Sequence, residues 1–251
     1  MESPQLQTKE QWVQEGNVHA AFHEYQQAIA AYEQALRLDP SYARAYHNRG
    51  AAYADLNEYR QAIADFDQAL RLAPDSTATY YNRGTAYVDL NEYQQAIADF
   101  DQTLRLDPNS ADVYYNRGNA HVALNEYQQA IADFDQTLRL DPGSADAYYN
   151  RGNAHAALNE YQQAIADFDQ ALRFDPSNAH IYHNRGAVYA TLQDYQQALA
   201  DFDQAQALDP THARAHYHRG RALQHLGRQA EAHHAFQQAE SLGYEEAREV
   251  L

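Results

Sequence analysis

The chain has 251 residues, no cysteine, a single lysine (Lys9) and a formal net charge of −17 at pH 7. Without cysteine it can form no disulfide framework, thiolate nucleophile or thiolate zinc site. Such an acidic chain lacks the clustered cations that bind nucleic acid or an anionic membrane surface, so we expect neither as a partner.

The first residues, MESPQLQTKEQW, contain neither the basic segment nor the apolar segment of a signal peptide. No apolar run approaches the length of a membrane span. Together with the absence of cysteine, these features predict a cytoplasmic protein. Residues 1–8 are interpreted as an N-terminal leader.

A 34-residue period runs through the rest of the chain. Proline recurs at this step from Pro40 to Pro210, and glycine from Gly16 to Gly220. Seven units of this length fill residues 9–246, and the seventh is degenerate because it lacks the closing proline. Their bounds are 9–42, 43–76, 77–110, 111–144, 145–178, 179–212 and 213–246.

Each unit is predicted to form a helical hairpin. In the second unit, apolar residues at helical spacing predict helices over 43–56 and 59–72, and Pro74 prevents the second helix from continuing. One hairpin cannot cover its own apolar face, so stability must come from stacking of units. After the seventh unit, residues 244–251 predict a short capping helix.

The small and aromatic residues of the unit follow a known order. In the second unit they are Tyr46, Gly50, Tyr53, Ala62, Phe66, Ala69 and Pro74. This order resembles the tetratricopeptide repeat family, and the resemblance covers seven tandem repeats. It implies an all-α fold, an α-solenoid in which helix-turn-helix hairpins form a right-handed superhelix with the first helices lining a concave groove. Folds of this kind are platforms, so the resemblance names no particular activity.

Six units carry arginine directly before the repeat glycine, where the family often has leucine. An arginine between two packed helices needs a partner. Five units offer an aspartate sixteen residues later, which predicts pairs within each repeat: Arg49–Asp65, Arg83–Asp99, Arg117–Asp133, Arg151–Asp167 and Arg185–Asp201. The alternative interpretation is a basic stripe that faces a ligand.

No constellation of residues points to catalysis. Acid pairs such as Asp65 and Asp67 recur in every central unit, which indicates architecture rather than an active site. Six histidines near the C-terminus could bind nickel or zinc adventitiously, but we predict no metal site. The chain is therefore expected to be a protein without enzymatic activity and without a cofactor.

An asparagine two residues before the repeat glycine is the clearest functional signal. The resemblance places it in the concave groove, where a carboxamide can bond both the N–H and the C=O of an extended peptide. The alternative is an asparagine that joins one helix to another by hydrogen bonds. We call the five residues at this position the asparagine ladder: Asn48, Asn82, Asn116, Asn150 and Asn184.

Other side chains are expected around this asparagine ladder, and they make the groove negative in its middle and positive at its C-terminal end. The aromatic members are Tyr81, Tyr115, Tyr149 and His183, the amides are Asn119 and Asn153, the acids are Asp112 and Asp146, and the basic members are Arg214, His218 and Arg221. Some family members bind a C-terminal carboxylate at matching places. Here Tyr149 replaces the first lysine of that site, so a carboxylate clamp stays an alternative.

These patterns predict a non-enzymatic scaffold that binds an extended segment of a partner protein through the asparagine and tyrosine side chains of the groove. The alternative is a self-associating scaffold that forms homo-oligomers end to end or groove to cap. Units four and five differ at only six of 34 positions, which also leaves a consensus-like designed repeat protein open.

Overall fold

The computed structural model describes residues 7–250, which form fourteen α-helices and one 3-10 helix. The first six residues of the predicted leader, and Leu251 of the predicted capping helix, lie outside the described residues. The α-helices are α1 (Lys9–Ala21), α2 (Tyr25–Leu38), α3 (Ala43–Asp55), α4 (Tyr59–Leu72), α5 (Thr77–Asp89), α6 (Tyr93–Leu106), α7 (Ala111–Ala123), α8 (Tyr127–Leu140), α9 (Ala145–Ala157), α10 (Tyr161–Phe174), α11 (Ala179–Thr191), α12 (Tyr195–Leu208), α13 (Ala213–His225) and α14 (Gln229–Ser241).

The helices group into two compact halves, which divide between Asn125 and Glu126. The N-terminal half contains α1–α7 and the C-terminal half contains α8–α14. Within each half, consecutive helices pack against each other as antiparallel pairs, and each pair packs against the next. The fold is therefore an all-α solenoid of tandem helix pairs, as predicted.

One residue in the left-handed conformation makes the turn inside a helix pair. Asn57 has φ 60°, Asn159 has φ 62°, and Gly227 takes the same place in the last pair with φ 77°. Asparagine and glycine adopt this conformation at the lowest steric cost. Between pairs, an aspartate closes the turn: Asp175 Oδ1 accepts hydrogen bonds from the backbone N–H and the hydroxyl of Ser177.

The repeat glycine allows the two helices of a pair to approach closely. A β-carbon on Gly152 would lie 2.9 Å from the ring of Phe168, and one on Gly50 would lie 2.8 Å from the ring of Phe66. Both rings are fully buried. This close approach is the reason why glycine recurs at this position of the repeat.

Each half has its own core, built from one large aromatic residue per unit and small residues around it. In the N-terminal half these aromatic residues are Tyr32, Phe66 and Phe100, and in the C-terminal half they are Phe134, Phe168, Phe202 and Phe236. After α14, the 3-10 helix Glu245–Glu249 buries Ala247, and Tyr244 lies against Tyr217 with ring centroids 4.9 Å apart.

The arginine before each glycine is paired with the buried aspartate of its own repeat. Arg151 donates from Nε and Nη2 to Asp167 at 2.9 and 2.5 Å, and Asp167 is only 5% exposed. These hydrogen bonds raise the pKa of Arg151 well above its ordinary value. The predicted pairs are confirmed for Arg49–Asp65, Arg83–Asp99, Arg151–Asp167 and Arg185–Asp201.

Arg83, Arg151 and Arg185 also bond an acid of the preceding repeat, which the sequence interpretation did not include. Arg151 Nη1 donates to Asp135 at 2.5 Å, and Arg83 Nη1 donates to Asp67 at 2.5 Å. These outer acids are about half exposed. Each of these guanidinium groups is thus already bonded to carboxylates of the protein. This removes the alternative of a basic stripe that faces a ligand at these positions.

Candidate functional site

All of the predicted groove residues lie on the first helices of their units. They are Asn48 on α3; Tyr81 and Asn82 on α5; Asp112, Tyr115, Asn116 and Asn119 on α7; Asp146, Tyr149, Asn150 and Asn153 on α9; His183 and Asn184 on α11; and Arg214, His218 and Arg221 on α13. Asp112, Asp146, Arg214 and Arg221 are exposed, whereas His183 is buried. The others are half-buried.

The first helices of adjacent units form an open pocket that recurs at the same repeat positions. It lies between α3 and α5 (about 280 Å³), between α9 and α11 (about 290 Å³) and between α11 and α13 (about 370 Å³). In each case alanines form an apolar floor and the tyrosine that opens the second helix forms one wall. These tyrosines are Tyr59, Tyr161 and Tyr195.

The three pockets differ in charge. Asp55 and Asp89 line the α3/α5 pocket. The α9/α11 pocket has only uncharged polar groups, such as Asn184. Arg221 and His225 line the α11/α13 pocket, where the His225 ring stacks on Tyr195 with centroids 4.2 Å apart.

Ladder asparagines hydrogen-bond to other side chains of the protein. Asn184 Nδ2 donates to the hydroxyl of Tyr149 at 2.9 Å and to Asn153 Oδ1 at 2.8 Å. The carboxamide therefore ties α11 to α9, the first helix of the preceding unit. Both of its N–H groups are engaged in doing so.

The same kind of bond recurs in the N-terminal half. Asn48 Nδ2 donates to Asn17 Oδ1 at 2.7 Å, and Asn116 Nδ2 donates to the Tyr81 hydroxyl at 2.9 Å. The helix-to-helix interpretation of the ladder therefore applies to Asn48, Asn116 and Asn184.

Asn82 differs from these three. Its side chain makes no hydrogen bond to any of the described residues, and it lines the α3/α5 pocket. The reason is the residue at the facing position of the preceding unit: Ala51 stands where Asn17 and Asn153 offer an amide oxygen in other units. Asn82 thus has two N–H donors and a carbonyl oxygen without a partner among the described residues, at a pocket that it lines.

At the places that match a carboxylate clamp, the positive charge is limited to Arg214. Asn184, Tyr149 and Asn153 bond one another. Burial, followed by repulsion from Arg214, lowers the pKa of His218 to about 4, so its ring is neutral at pH 7.

Sequence reasoning missed the tyrosine wall of the pockets. Tyr161 and Tyr195 recur at the 34-residue step and open the second helix of their units, so the signal was present in the repeat itself. It was overlooked because only first-helix positions were assigned to the groove. Tyr217, which lines the α11/α13 pocket, was also not among the predicted residues.

Residues 7–250 contain neither a candidate metal site nor a candidate membrane-spanning helix. In this part of the chain no three histidine, aspartate or glutamate side chains are grouped so that they could hold a metal ion. Within the same range, every helix is too short or too polar to cross a bilayer.

Comparison with protein families identifies the repeat. Models described as tetratricopeptide repeat match residues 43–76, 115–179, 179–212 and 213–242, and a model described as TPR repeat matches residues 16–57 and 84–125. A search of curated protein sequences gave no significant match.

Solved structures agree with this assignment. YrrB, described as a TPR protein with an unusual peptide-binding site, is 26% identical with a TM-score of 0.67, over 74% of this chain and 95% of YrrB. MamA is 27% identical with a TM-score of 0.62, over 64% of this chain and 94% of MamA. A tetratricopeptide repeat protein from Parabacteroides merdae shares the fold at 21% identity, with a TM-score of 0.70 over 97% of both chains. The chain thus belongs to the tetratricopeptide repeat family.

Proposed function

We propose that this protein is a non-enzymatic scaffold that binds an extended peptide segment of a partner protein along its first helices. The observation that carries the proposal is the recurrence of one open pocket, with an apolar floor and a polar rim, at the same repeat positions. A ligand that meets equivalent pockets at regular intervals must itself have a regular spacing. An extended peptide has such a spacing.

The distances are compatible with this ligand. The first helices α9, α11 and α13 are neighbours, and helices in contact have axes roughly 8–10 Å apart. An extended peptide in the polyproline II conformation rises about 3.1 Å per residue and has three residues per turn, so about three residues span one helix-to-helix step. Every third side chain of the segment could therefore enter a pocket.

In the C-terminal half, the pocket linings favour a particular peptide. The α9/α11 pocket is uncharged, and the adjacent α11/α13 pocket carries Arg221 on its rim. On a protein with a net charge of −17, a local basic rim favours an acidic group of the ligand. We therefore expect a small apolar or aromatic residue followed, about three positions away, by aspartate or glutamate.

Asn82 and the fold family give additional support. A carboxamide without an internal partner can bond the peptide backbone with little regard to its sequence. YrrB, which shares the fold, is described as having a peptide-binding site.

The test is a selection of random displayed peptides on the immobilised wild-type protein, followed by affinity measurement on Arg221→Glu. Arg173→Glu is the matched control, because Arg173 is exposed on the second helix α10 and bonds only Gln170. We expect selected peptides to contain an acidic residue and to bind Arg221→Glu at least tenfold more weakly, with unchanged binding to Arg173→Glu. Equal affinity for both variants, or no selected peptide, contradicts the proposal.

Self-association is the second candidate function. It is favoured by Val18 and Phe22 on the first helix pair, which are 51% and 73% exposed. Sedimentation equilibrium of wild type beside Val18→Ser with Phe22→Ser tests it. A concentration-dependent mass that the double variant loses would support self-association, and a monomer at all concentrations would exclude it.

A further inference from the structure

Four imidazole rings meet where the seventh unit packs on the sixth. His180 and His183 lie on α11, His212 lies in the turn before α13, and His218 lies on α13. Ring centroids are 4.8 Å apart for His183 and His212, 5.0 Å for His183 and His218, and 5.1 Å for His180 and His212. The rings therefore form one continuous group, which we call the histidine cluster.

The cluster contains two buried nitrogens without a hydrogen-bond partner. They are Nε2 of His183 and Nε2 of His212, and no other buried side-chain nitrogen or oxygen in residues 7–250 lacks a partner. His183 is 4% exposed, and its Nδ1 lies 3.1 Å from Asn184 Oδ1, which makes Nδ1 the donor. A proton added to His183 would thus stand on Nε2, buried and with no acceptor, which is strongly unfavourable.

The titratable groups that face the buried rings are mostly basic. His180 contributes from α11, His212 from the turn, and Arg214 and Arg221 from α13. Two acids oppose them: Asp209, which accepts bonds from Thr211, and Glu246 of the 3-10 helix, which accepts from Tyr244. The other ring neighbours are Phe202 on α12 and Tyr217 on α13.

Burial and these neighbours favour the neutral form of His183, His212 and His218. Burial, with repulsion from His218, His212 and Arg214, lowers the pKa of His183 to about 3. Burial, with repulsion from Arg214, lowers the pKa of His218 to about 4, and burial with the neighbouring His180 lowers the pKa of His212.

The seventh unit has fewer polar ties to its surroundings than the unit before it. Arg185 bonds both Asp201 of its own repeat and Asp169 of the preceding repeat. In the seventh unit Ala235 replaces the buried aspartate, and Arg219 bonds only Asp203. Across the junction itself, Arg219–Asp203 and Gln206–His216 are bonded, but among the described residues the two amide bonds of Asn184 have no counterpart at His218. The packing of the cluster therefore carries more of this junction's stability than it would elsewhere.

We propose that the histidine cluster is an acid-sensitive latch that holds α13 and α14 on α11 and α12 at neutral pH and releases them on acidification. The sign follows from proton linkage. In the released state these histidines take up protons near their ordinary pKa of about 6.5, whereas the packed cluster resists protonation. Acid therefore favours release, beginning below about pH 6.5. Because His218 and Arg221 line the α11/α13 pocket, release also removes that pocket.

The experiment is hydrogen exchange followed by mass spectrometry at pH 7.5 and pH 5.0. Wild type is compared with the triple variant His183→Tyr, His212→Ser and His218→Asn. These are the residues that other units carry at the same places, Tyr149, Ser144 and Asn184, so the variant is expected to fold. The single variant His218→Asn is measured as well, so that the test does not depend on the triple variant.

Exchange of the backbone amides measures how often a helix opens. The opening of α13 and α14 is divided by the opening of α3 and α4 in the same sample. Consider one imidazole that stays neutral when packed and has a pKa of about 6.5 when released. It makes the ratio of released to packed protein about thirtyfold higher at pH 5.0 than at pH 7.5. Between pH 7.5 and pH 5.0 we therefore expect this normalised opening to rise at least tenfold in wild type. The rise should be smaller in His218→Asn and less than threefold in the triple variant. The same rise in wild type and His218→Asn, or a rise spread evenly over α1–α14, would overturn the proposal.

Discussion

Arg83 binds Asp99 through two parallel hydrogen bonds, Nε to Oδ2 at 2.7 Å and Nη2 to Oδ1 at 2.6 Å. Such bidentate pairs between arginine and carboxylate are strong and fix the geometry of both side chains. The third nitrogen of the same guanidinium donates to Asp67, which is half exposed on the preceding repeat. One arginine therefore stabilises its own helix pair and the junction with its neighbour.

The two carboxylates bonded to Arg83 should differ in their effect on stability. Asp99→Ala leaves a half-buried guanidinium without its main partner, and breaking a buried pair typically costs about 3–5 kcal/mol. Asp67→Ala removes an exposed partner of the same arginine and should cost less than about 1 kcal/mol. Urea denaturation followed by circular dichroism measures both. Equal midpoints for the two variants would show that burial does not decide the strength of these pairs.

The sequence predicted only half of this arrangement. The intra-repeat pair followed from an aspartate sixteen residues after each arginine. The inter-repeat acid lies sixteen residues before Arg83, at Asp67, so the same spacing was visible in the other direction. The recurrence of the acid pair Asp65 and Asp67 indicates a structural role without naming a partner, because sequence spacing does not show which helices of adjacent units touch.

Asn184 and Asn82 occupy the same repeat position but should respond differently to alanine. Asn184→Ala removes two hydrogen bonds between α9 and α11, each of which contributes about 0.5–1.5 kcal/mol. Asn82→Ala removes no internal bond and should change the free energy of unfolding by less than about 0.5 kcal/mol. Denaturation midpoints check this. A loss for Asn82→Ala as large as that for Asn184→Ala would mean that Asn82 also has a structural partner.

The candidate site was predictable in its location but not in its details. Family resemblance assigned the groove to the first helices, where Asn82, Asn184 and Arg221 do lie. Whether a given asparagine is engaged depends on the facing residue one unit earlier, such as Ala51 or Asn153. Burial of His183 depends on His212 and His218, which are distant in sequence and meet only when the units stack.

The central claim is that an extended peptide binds in the pockets between first helices. Its most direct test is the dissociation constant of a selected peptide, measured by titration calorimetry, for wild type, Tyr195→Ala and Leu208→Ala. Both substitutions remove apolar area from α12, but only Tyr195 lines the α11/α13 pocket, and Leu208 is exposed elsewhere on that helix. Burial of an aromatic side chain contributes about 1.5–3 kcal/mol. We therefore expect Tyr195→Ala to bind the peptide at least tenfold more weakly than wild type. Leu208→Ala should bind as wild type does, and unchanged affinity for Tyr195→Ala, with its helical content intact, would contradict the account.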